Sequence, residues 1–292
     1  MKRTASLALI GGDLRQAVLA EQLAADGHTV SVCALERHVF PPSIPAFSTP
    51  DQCPTGVQAV ILPMPVLRDE VHLNAPLANT ALSLGPVLDA LPAGMLVLAG
   101  AVSEAVCRRT ERAQLRIIDY LTREDLAVRN AAITAEGAIQ IAMEELPVSI
   151  GGLRVLIIGC GRIGQAAAVR LHALGADVTV SARRPADFAR IECAHWHALD
   201  TRHLSGHLSG FSLVINTVPS LVLGAADLAE LPADSLLLDL ASKPGGIDFD
   251  AAAALGRRAI WALSLPGKVA PVSAARALRD TIHTILQEED IL

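Results

Sequence analysis

Residues Leu153 to Arg184 constrain the fold more than any other stretch. Leu153 to Ile158 are mostly Leu, Ile and Val and read as a buried strand. Gly159-Cys160-Gly161-Arg162-Ile163-Gly164 follow and spell G-x-G-x-x-G. From Ile163 the spacing turns helical until Gly175 stops it, and Val178 to Val180 open the next strand. In such a β-α-β unit of about 30 residues each glycine has a mechanical job. Gly159 allows the tight turn, Gly161 lets backbone approach a pyrophosphate, and Gly164 lets the helix pack on the sheet. The helix N-terminus adds free N–H groups and a positive dipole end. A glycine turn without a ligand is the alternative; the strand before it and the helix after it weigh against that reading.

The end of the second strand selects between dinucleotides. An NAD site usually has Asp or Glu there, on the ribose 2′-OH. Here the residues are Ser181, Ala182, Arg183 and Arg184, with no carboxylate. A small hydroxyl and two guanidiniums suit a 2′-phosphate, so NADP is favoured over NAD. Two solvated surface arginines are the plainer alternative.

The chain has 292 residues, enough for two domains. Its longest stretch without formal charge, His203 to Ala226, contains Asn, Pro, Ser and two His, so no membrane span is expected. The basic start at Lys2 and Arg3 runs into a strand and a Gly-Gly-Asp turn, unlike a signal peptide. A net charge of −6 without a basic block argues against nucleic acid. Five scattered cysteines without C-x-x-C read as free thiols in a reducing, cytoplasmic setting. Cys160, inside the glycine loop, reads as a small filler rather than a nucleophile.

In chain order, Ser6–Ile10 is a strand, Leu14 to about Asp26 a helix and His28–Cys33 a strand. Their turn, Gly11-Gly12-Asp13, lacks the phosphate-cradling spacing, so this is a Rossmann-like layer without a dinucleotide. Val57–Leu62, Met95–Ala99 and Leu115–Tyr120 read as further strands, the first ending in Pro63-Met64-Pro65. Residues 1–122 are thus one α/β domain. Thr122 and Asp125 have capping-box spacing before a helix of 123–146 that spans roughly 36 Å. Asn130, Thr134 and Gly137 fall near one face of it, with Glu136 to the side, and suggest a cleft wall. Residues 123–149 are therefore read as a connecting helix and 150–272 as the second α/β domain. In that domain His203 and His207 have helical metal-ligand spacing, but no third ligand is placed, and a metal is not expected. Phe211–Asn216, Leu236–Leu240 and Ala259–Leu263 are strands ending in Pro-, Gly- or Lys-bearing loops on one edge. A final helix, 273–290, returns to the first domain. The whole is α/β: two Rossmann-like doubly wound parallel-sheet domains.

Lysine is scarce: three, against 21 arginines. Two of them, Lys243 and Lys268, fall in those carboxyl-edge loops, where they would meet an anionic substrate.

The chain resembles the family of dipicolinate synthase A subunits over nearly its whole length. The resemblance rests on Gly11-Gly12-Asp13-x-Arg15, Leu62-Pro63-Met64-Pro65, Asn130 with Thr134-Ala135-Glu136-Gly137-Ala138-Ile139, and the Gly159 to Gly164 loop. It continues through Ser181-Ala182-Arg183, Ile215-Asn216-Thr217-Val218-Pro219-Ser220, Asp239 to Gly246 with Asp248, and Leu265-Pro266-Gly267-Lys268-Val269-Ala270-Pro271. It implies a 2-hydroxyacid-dehydrogenase-like arrangement with NADP in the second domain. It also implies oxidation of a lysine-pathway dihydrodipicolinate, or its hydroxy-tetrahydro precursor, to dipicolinate during sporulation. A second, flavoprotein-like dipicolinate synthase subunit and a cytoplasmic location follow from the same resemblance; a homo-oligomer is a separate expectation. The cofactor set is then Gly159, Gly161, Arg162, Ile163 and Gly164, with Ser181, Arg183, Arg184, Thr217, Pro219, Ala241, Ser242 and Thr134. The catalytic set is Lys243, Lys268 and Arg15 for the substrate carboxylates, Asn130, and either Glu136 or Asp239 as a base raised by desolvation. The sequence does not choose between the two carboxylates, and Asp239 reads equally as a structural cap.

Two rivals remain. One is another NADP-linked dehydrogenase of a small carboxylic acid; the Arg, Glu, His set of 2-hydroxyacid dehydrogenases has no match after Asn216. The other is a non-catalytic NADP-binding protein that organises a partner enzyme.

Overall fold

The computed structural model describes residues 3–292; Lys2, part of the basic start, lies outside them. The chain divides into two compact units, one running to Arg129 and completed by Ala270–Leu292, the other Asn130–Val269.

The first unit is built on runs of Val, Leu and Ile that are buried on both faces, as parallel sheets require. It contains β1 (Ser6–Ile10), α1 (Leu14–Ala25), β2 (Thr29–Cys33), β3 (Ala59–Ile61), α2 (Leu84–Asp89), β4 (Leu96–Ala99), α3 (Glu104–Arg112) and β5 (Arg116–Asp119). All five strands are parallel, in the order β2-β1-β3-β4-β5. The order reverses between β1 and β3, so Gly11-Gly12-Asp13 and Pro63-Met64-Pro65 follow the two strands at the switch point. Next comes α4 (Glu124–Glu145), inside which the two units meet in sequence. The expected Thr122 cap is absent. Thr122 lies in a 3-10 turn and its hydroxyl donates to the Asp119 carbonyl at 2.8 Å. Asp125 instead accepts from the Thr281 hydroxyl at 2.5 Å.

The second unit holds β6 (Arg154–Ile158), α5 (Arg162–Ala173), β7 (Asp177–Ala182), α6 (Pro185–Cys193), β8 (His197–Asp200), β9 (Leu213–Asn216), α7 (Ala225–Glu230), β10 (Leu236–Asp239), α8 (Phe249–Ala254), β11 (Arg258–Trp261) and α9 (Leu265–Val269). Its six parallel strands run β11-β10-β9-β6-β7-β8, the order of a dinucleotide-binding sheet. The sequence pattern does not predict strand β8. It is a half-exposed edge strand, and its His and Asp do not show the apolar run that marks the interior strands.

Last, α10 (Pro271–Glu288) belongs to the first unit and packs on α1. Its Leu278, Ile282, Ile285 and Leu286 are buried with Leu19, Ala20 and Leu23 of α1. At about 1.5–3 kcal/mol per buried Leu or Ile, those four side chains contribute about 6–12 kcal/mol to holding the returning segment. Both units are α/β with doubly wound parallel sheets, the fold class expected. Among the described residues no helix is long and apolar enough to cross a membrane.

Candidate functional site

In the second unit the strand order reverses between β9 and β6, so the loops that follow those strands diverge and leave a crevice. A cavity of about 350 Å³ lies there, lined by Gly159, Gly161, Arg183, Arg184, Thr217 and Pro219 among others. These six come from three loops well separated in the chain and are brought together by the sheet.

The glycines of the loop answer to different constraints. Gly159 has φ +100°, and a Cβ on it would stand 2.6 Å from the Thr217 hydroxyl oxygen. A Cβ on Gly164 would stand 2.0 Å from the Gly159 carbonyl oxygen, so α5 and the loop touch through its missing side chain. A Cβ on Gly161 would meet nothing within 4 Å. The protein itself does not require glycine there; a cradle that a Cβ would fill does. Gly161 is also the N-cap of α5, and no side chain caps that helix, so its first-turn N–H groups remain for an anion. These features fit a dinucleotide pyrophosphate.

The first unit makes the contrast. Asp13 caps α1 by accepting from the Arg15 amide at 2.9 Å, so a carboxylate already occupies that helix mouth. A Cβ on Gly12 would stand 2.4 Å from Cβ of Gln16, so that glycine serves the chain's own packing. A larger hollow of about 510 Å³ beyond β2 is lined by Leu35, Phe40, Ile44 and Phe47. Its His38 pairs with Glu21 and its Glu36 accepts from the Asn79 amide, so its polar lining is already committed.

Of the remaining cofactor candidates, Ser181 is fully buried and its hydroxyl accepts from Thr201 at 2.9 Å. It supports the loop rather than lining the cavity. Gly164 and Ile163 are packed inward and Arg162 is exposed; none of the three lines the cavity. Thr134 is buried with its hydroxyl on the Asn130 carbonyl at 2.8 Å. Ala241 is buried, Ser242 exposed. Two cavity residues, Asp187 and Thr201, escape the sequence reading. Asp187 takes hydrogen bonds from Arg184 and Arg190, three residues to either side on one helical face, a spacing visible in the sequence. The Arg184 bond holds its carboxyl below the usual range, although its burial opposes this. Burial raises the Cys160 thiol, which keeps it protonated and inert at neutral pH, as a filler should be.

Among the catalytic candidates, the two carboxylates stand in different settings. The Glu136 side chain is 58 % exposed and paired with Arg170 of α5 at 3.1 Å. The desolvation that a base role needs is absent there. Asp239 is fully buried, but its oxygens accept from Asn216 Nδ2 (2.8 Å) and the amides of Ala241 (3.0 Å), Gly246 (2.7 Å) and Ile247 (3.2 Å). It ties both ends of the 241–247 loop to β9, the arrangement of a structural cap. Lys243 is carried on this loop and Lys268 on α9. Both lie beyond the carboxyl ends of β10 and β11, and neither has an ion-pair partner among the described residues. In the first unit Arg15 grips both Asp13 oxygens (2.7–3.1 Å) and the Met64 carbonyl (2.8 Å), lacing together the loops after β1 and β3. Asn130 has a buried, unpartnered side-chain oxygen.

Residues 6–121 match the N-terminal domain of the dipicolinate synthase A subunit. Residues 127–237 match the NAD binding domain of D-isomer specific 2-hydroxyacid dehydrogenases. The dipicolinate synthase A subunit of Bacillus subtilis (strain 168) is 32 % identical over 287 residues, covering 97 % of this chain and 96 % of that protein. The chain belongs to the family of dipicolinate synthase A subunits. The crystal structure of the Bacillus halodurans member superposes with a TM-score of 0.90 at 30 % identity, covering 98 % of this chain and 99 % of that one. The Bacillus subtilis member gives 0.87 at 31 %, covering 99 % and 97 %. The second unit is thus a nicotinamide-nucleotide domain, and the protein is an NAD(P)-linked oxidoreductase.

Proposed function

We propose that this chain oxidises a dihydrodipicolinate, or its 4-hydroxy-tetrahydro precursor, to dipicolinate with NADP, as one component of a dipicolinate synthase. The observation that carries the NADP reading is the cavity itself: Arg183 and Arg184 line it where an NAD site has a carboxylate. Arg183 is exposed and has no ion-pair partner among the described residues, so it is available to a phosphate. Titration of the purified chain with NADP and NAD tests this; equal affinity for both would remove it.

A bound nicotinamide supplies the hydride acceptor. The chain's residues then bind and orient. Lys243 and Lys268, two scarce and unpaired ammonium groups at the sheet's carboxyl edge, take the two ring carboxylates by charge-assisted hydrogen bonds. Arg15, in the unit that residues 1–122 form with the returning helix of 273–290, and Asn130, in the other unit, are the remaining candidates for substrate contact. From the hydroxy-tetrahydro precursor one water leaves first to give the dihydro ring; oxidation of that ring at a CH–CH bond then removes one hydride and one proton and leaves the aromatic pyridine dicarboxylate. With Glu136 paired at the surface and Asp239 spent on its loop, the proton passes to solvent.

Lys243→Ala and Lys268→Ala should keep NADP affinity and raise KM for the dicarboxylate by about 10- to 100-fold each, read from dipicolinate absorbance. Full-rate turnover in both variants would remove the clamp.

The pairing of Glu136 and the loop contacts of Asp239 favour one second reading, a nucleotide-binding protein that works with a partner. The Bacillus subtilis relative is named as one subunit of its synthase, which implies another. We take that other to be a flavoprotein-like dipicolinate synthase subunit, in the cytoplasm of a sporulating cell, with this chain itself a homo-oligomer. Dipicolinate formation only after the flavoprotein-like partner is added would support the second reading.

A further inference from the structure

We propose that Asp187 is the positioning residue of the 2′-phosphate subsite, holding Arg184 at the cavity and tying it to Arg190 on the same helical face, so that the site prefers NADP to NAD. This rests on the NADP reading above and adds the residue that enforces it.

Asp187 is 4 % exposed and lines the cavity from the first turn of α6. Its Oδ2 accepts from Nε of Arg184 at 2.7 Å, and its Oδ1 accepts from Nη2 of Arg184 at 3.1 Å and Nη1 of Arg190 at 2.7 Å. No backbone amide donates to it among the described residues. In that it differs from Asp227 and Asp248, which cap α7 and α8 by accepting from the Gly224 and Ala251 amides. A cap is therefore not its task, and an ordinary surface ion pair does not bury its carboxylate.

What the carboxylate does is fix two guanidiniums whose side chains are otherwise 72 % and 55 % exposed. Arg184 spends two of its five N–H donors on Asp187 and Arg190 one; the rest stay available. An unrestrained arginine loses much rotamer freedom when it takes a phosphate, and a clamped one has already lost it. Arg183, Arg184 and Arg190 against Asp187 leave a net charge of about +2, close to the opposite of a phosphate monoester. The next acid along this edge, Asp200, is neutralised by its own Arg202 and does not oppose an anion.

The opposite role is also physically definite. A carboxylate that competes with the phosphate for Arg184 would make its removal tighten NADP. The full-length chain and its Asp187→Asn variant should be titrated with NADP, NAD, 2′,5′-ADP and 5′-AMP. The expected result is about tenfold weaker NADP and 2′,5′-ADP with NAD and AMP within twofold, because only the ligands that bear a 2′-phosphate use the clamped guanidiniums. Unchanged or tighter NADP, or an equal loss for all four ligands, overturns the proposal for Asp187 alone. A wild-type chain without NADP preference instead sinks the NADP reading beneath it. If Asp187→Asn does not fold, Arg190→Gln at the exposed end of the clamp carries the same test, with about threefold selective loss of NADP expected. An unselective loss in that variant overturns the proposal equally.

Discussion

Gly159, Gly161 and Gly164 share one motif and answer to two constraints. The outer two are demanded by contacts within the protein, at 2.6 Å and 2.0 Å from a would-be Cβ, whereas the middle one faces open space. Gly161→Ala should therefore fold with nearly wild-type thermal stability and lose at least about tenfold in nucleotide affinity by fluorescence titration. Gly164→Ala should lose about 3 kcal/mol or more in urea denaturation, because the clash is with backbone that has no room to move. The same scale carries a pH effect. Burial pushes the Cys33 thiol up to about 11, while an unfolded thiol ionises near 8.5–9. Between those values the folded chain holds a proton that the unfolded chain has released. Stability should fall as pH rises through that window and be complete below it. Cys33→Ala should flatten the urea midpoint against pH there. A thiol reagent at about pH 8 should label the exposed Cys193 first and Cys33 and Cys160 slowly.

At the scale of elements, the parallel strands are legible in the sequence because they are buried on both faces and so nearly continuous in Leu, Ile and Val. Strand β8 is not, because an edge strand carries His and Asp outward and has no such run. Neither is the role of Asp239. A lone Asp at a strand end fits a base and a cap equally. What decides is that Asn216, Ala241, Gly246 and Ile247 all donate to it. The 241–247 loop that presents Lys243 is thereby pinned at both ends to one carboxylate. Asp239→Ala leaves those donors buried and unpaired and should cost about 3–5 kcal/mol in urea denaturation, with faster proteolysis in that loop. A catalytic base would behave differently: its replacement by Asn would leave stability near wild type and abolish turnover. Trp261 adds a donor to the Ala241 carbonyl at 2.9 Å, so the loop is also held from β11.

At the scale of the whole molecule, two doubly wound sheets of different strand order share one chain. Only the second offers an uncapped helix mouth at its switch point; in the first, Asp13 fills that place. The first unit also depends on a segment that arrives after the second is complete, since α10 packs on α1. Deleting residues 271–292 should expose the Leu19, Ala20 and Leu23 face. It should abolish protection of the first sheet in hydrogen exchange while nucleotide titration of the second unit survives. By itself the sequence determined the two parallel-sheet units, the nucleotide turn and the family, because local glycine geometry and buried apolar runs depend on neighbours within a few residues. Only the tertiary structure decided that Asp187 stands at the cavity with Arg184 and Arg190 bonded to it, that Ser181 is buried against Thr201, and that Glu136 is a surface partner of Arg170. Which groups a carboxylate or hydroxyl meets is fixed by chain segments brought together from far apart, and no local pattern records that.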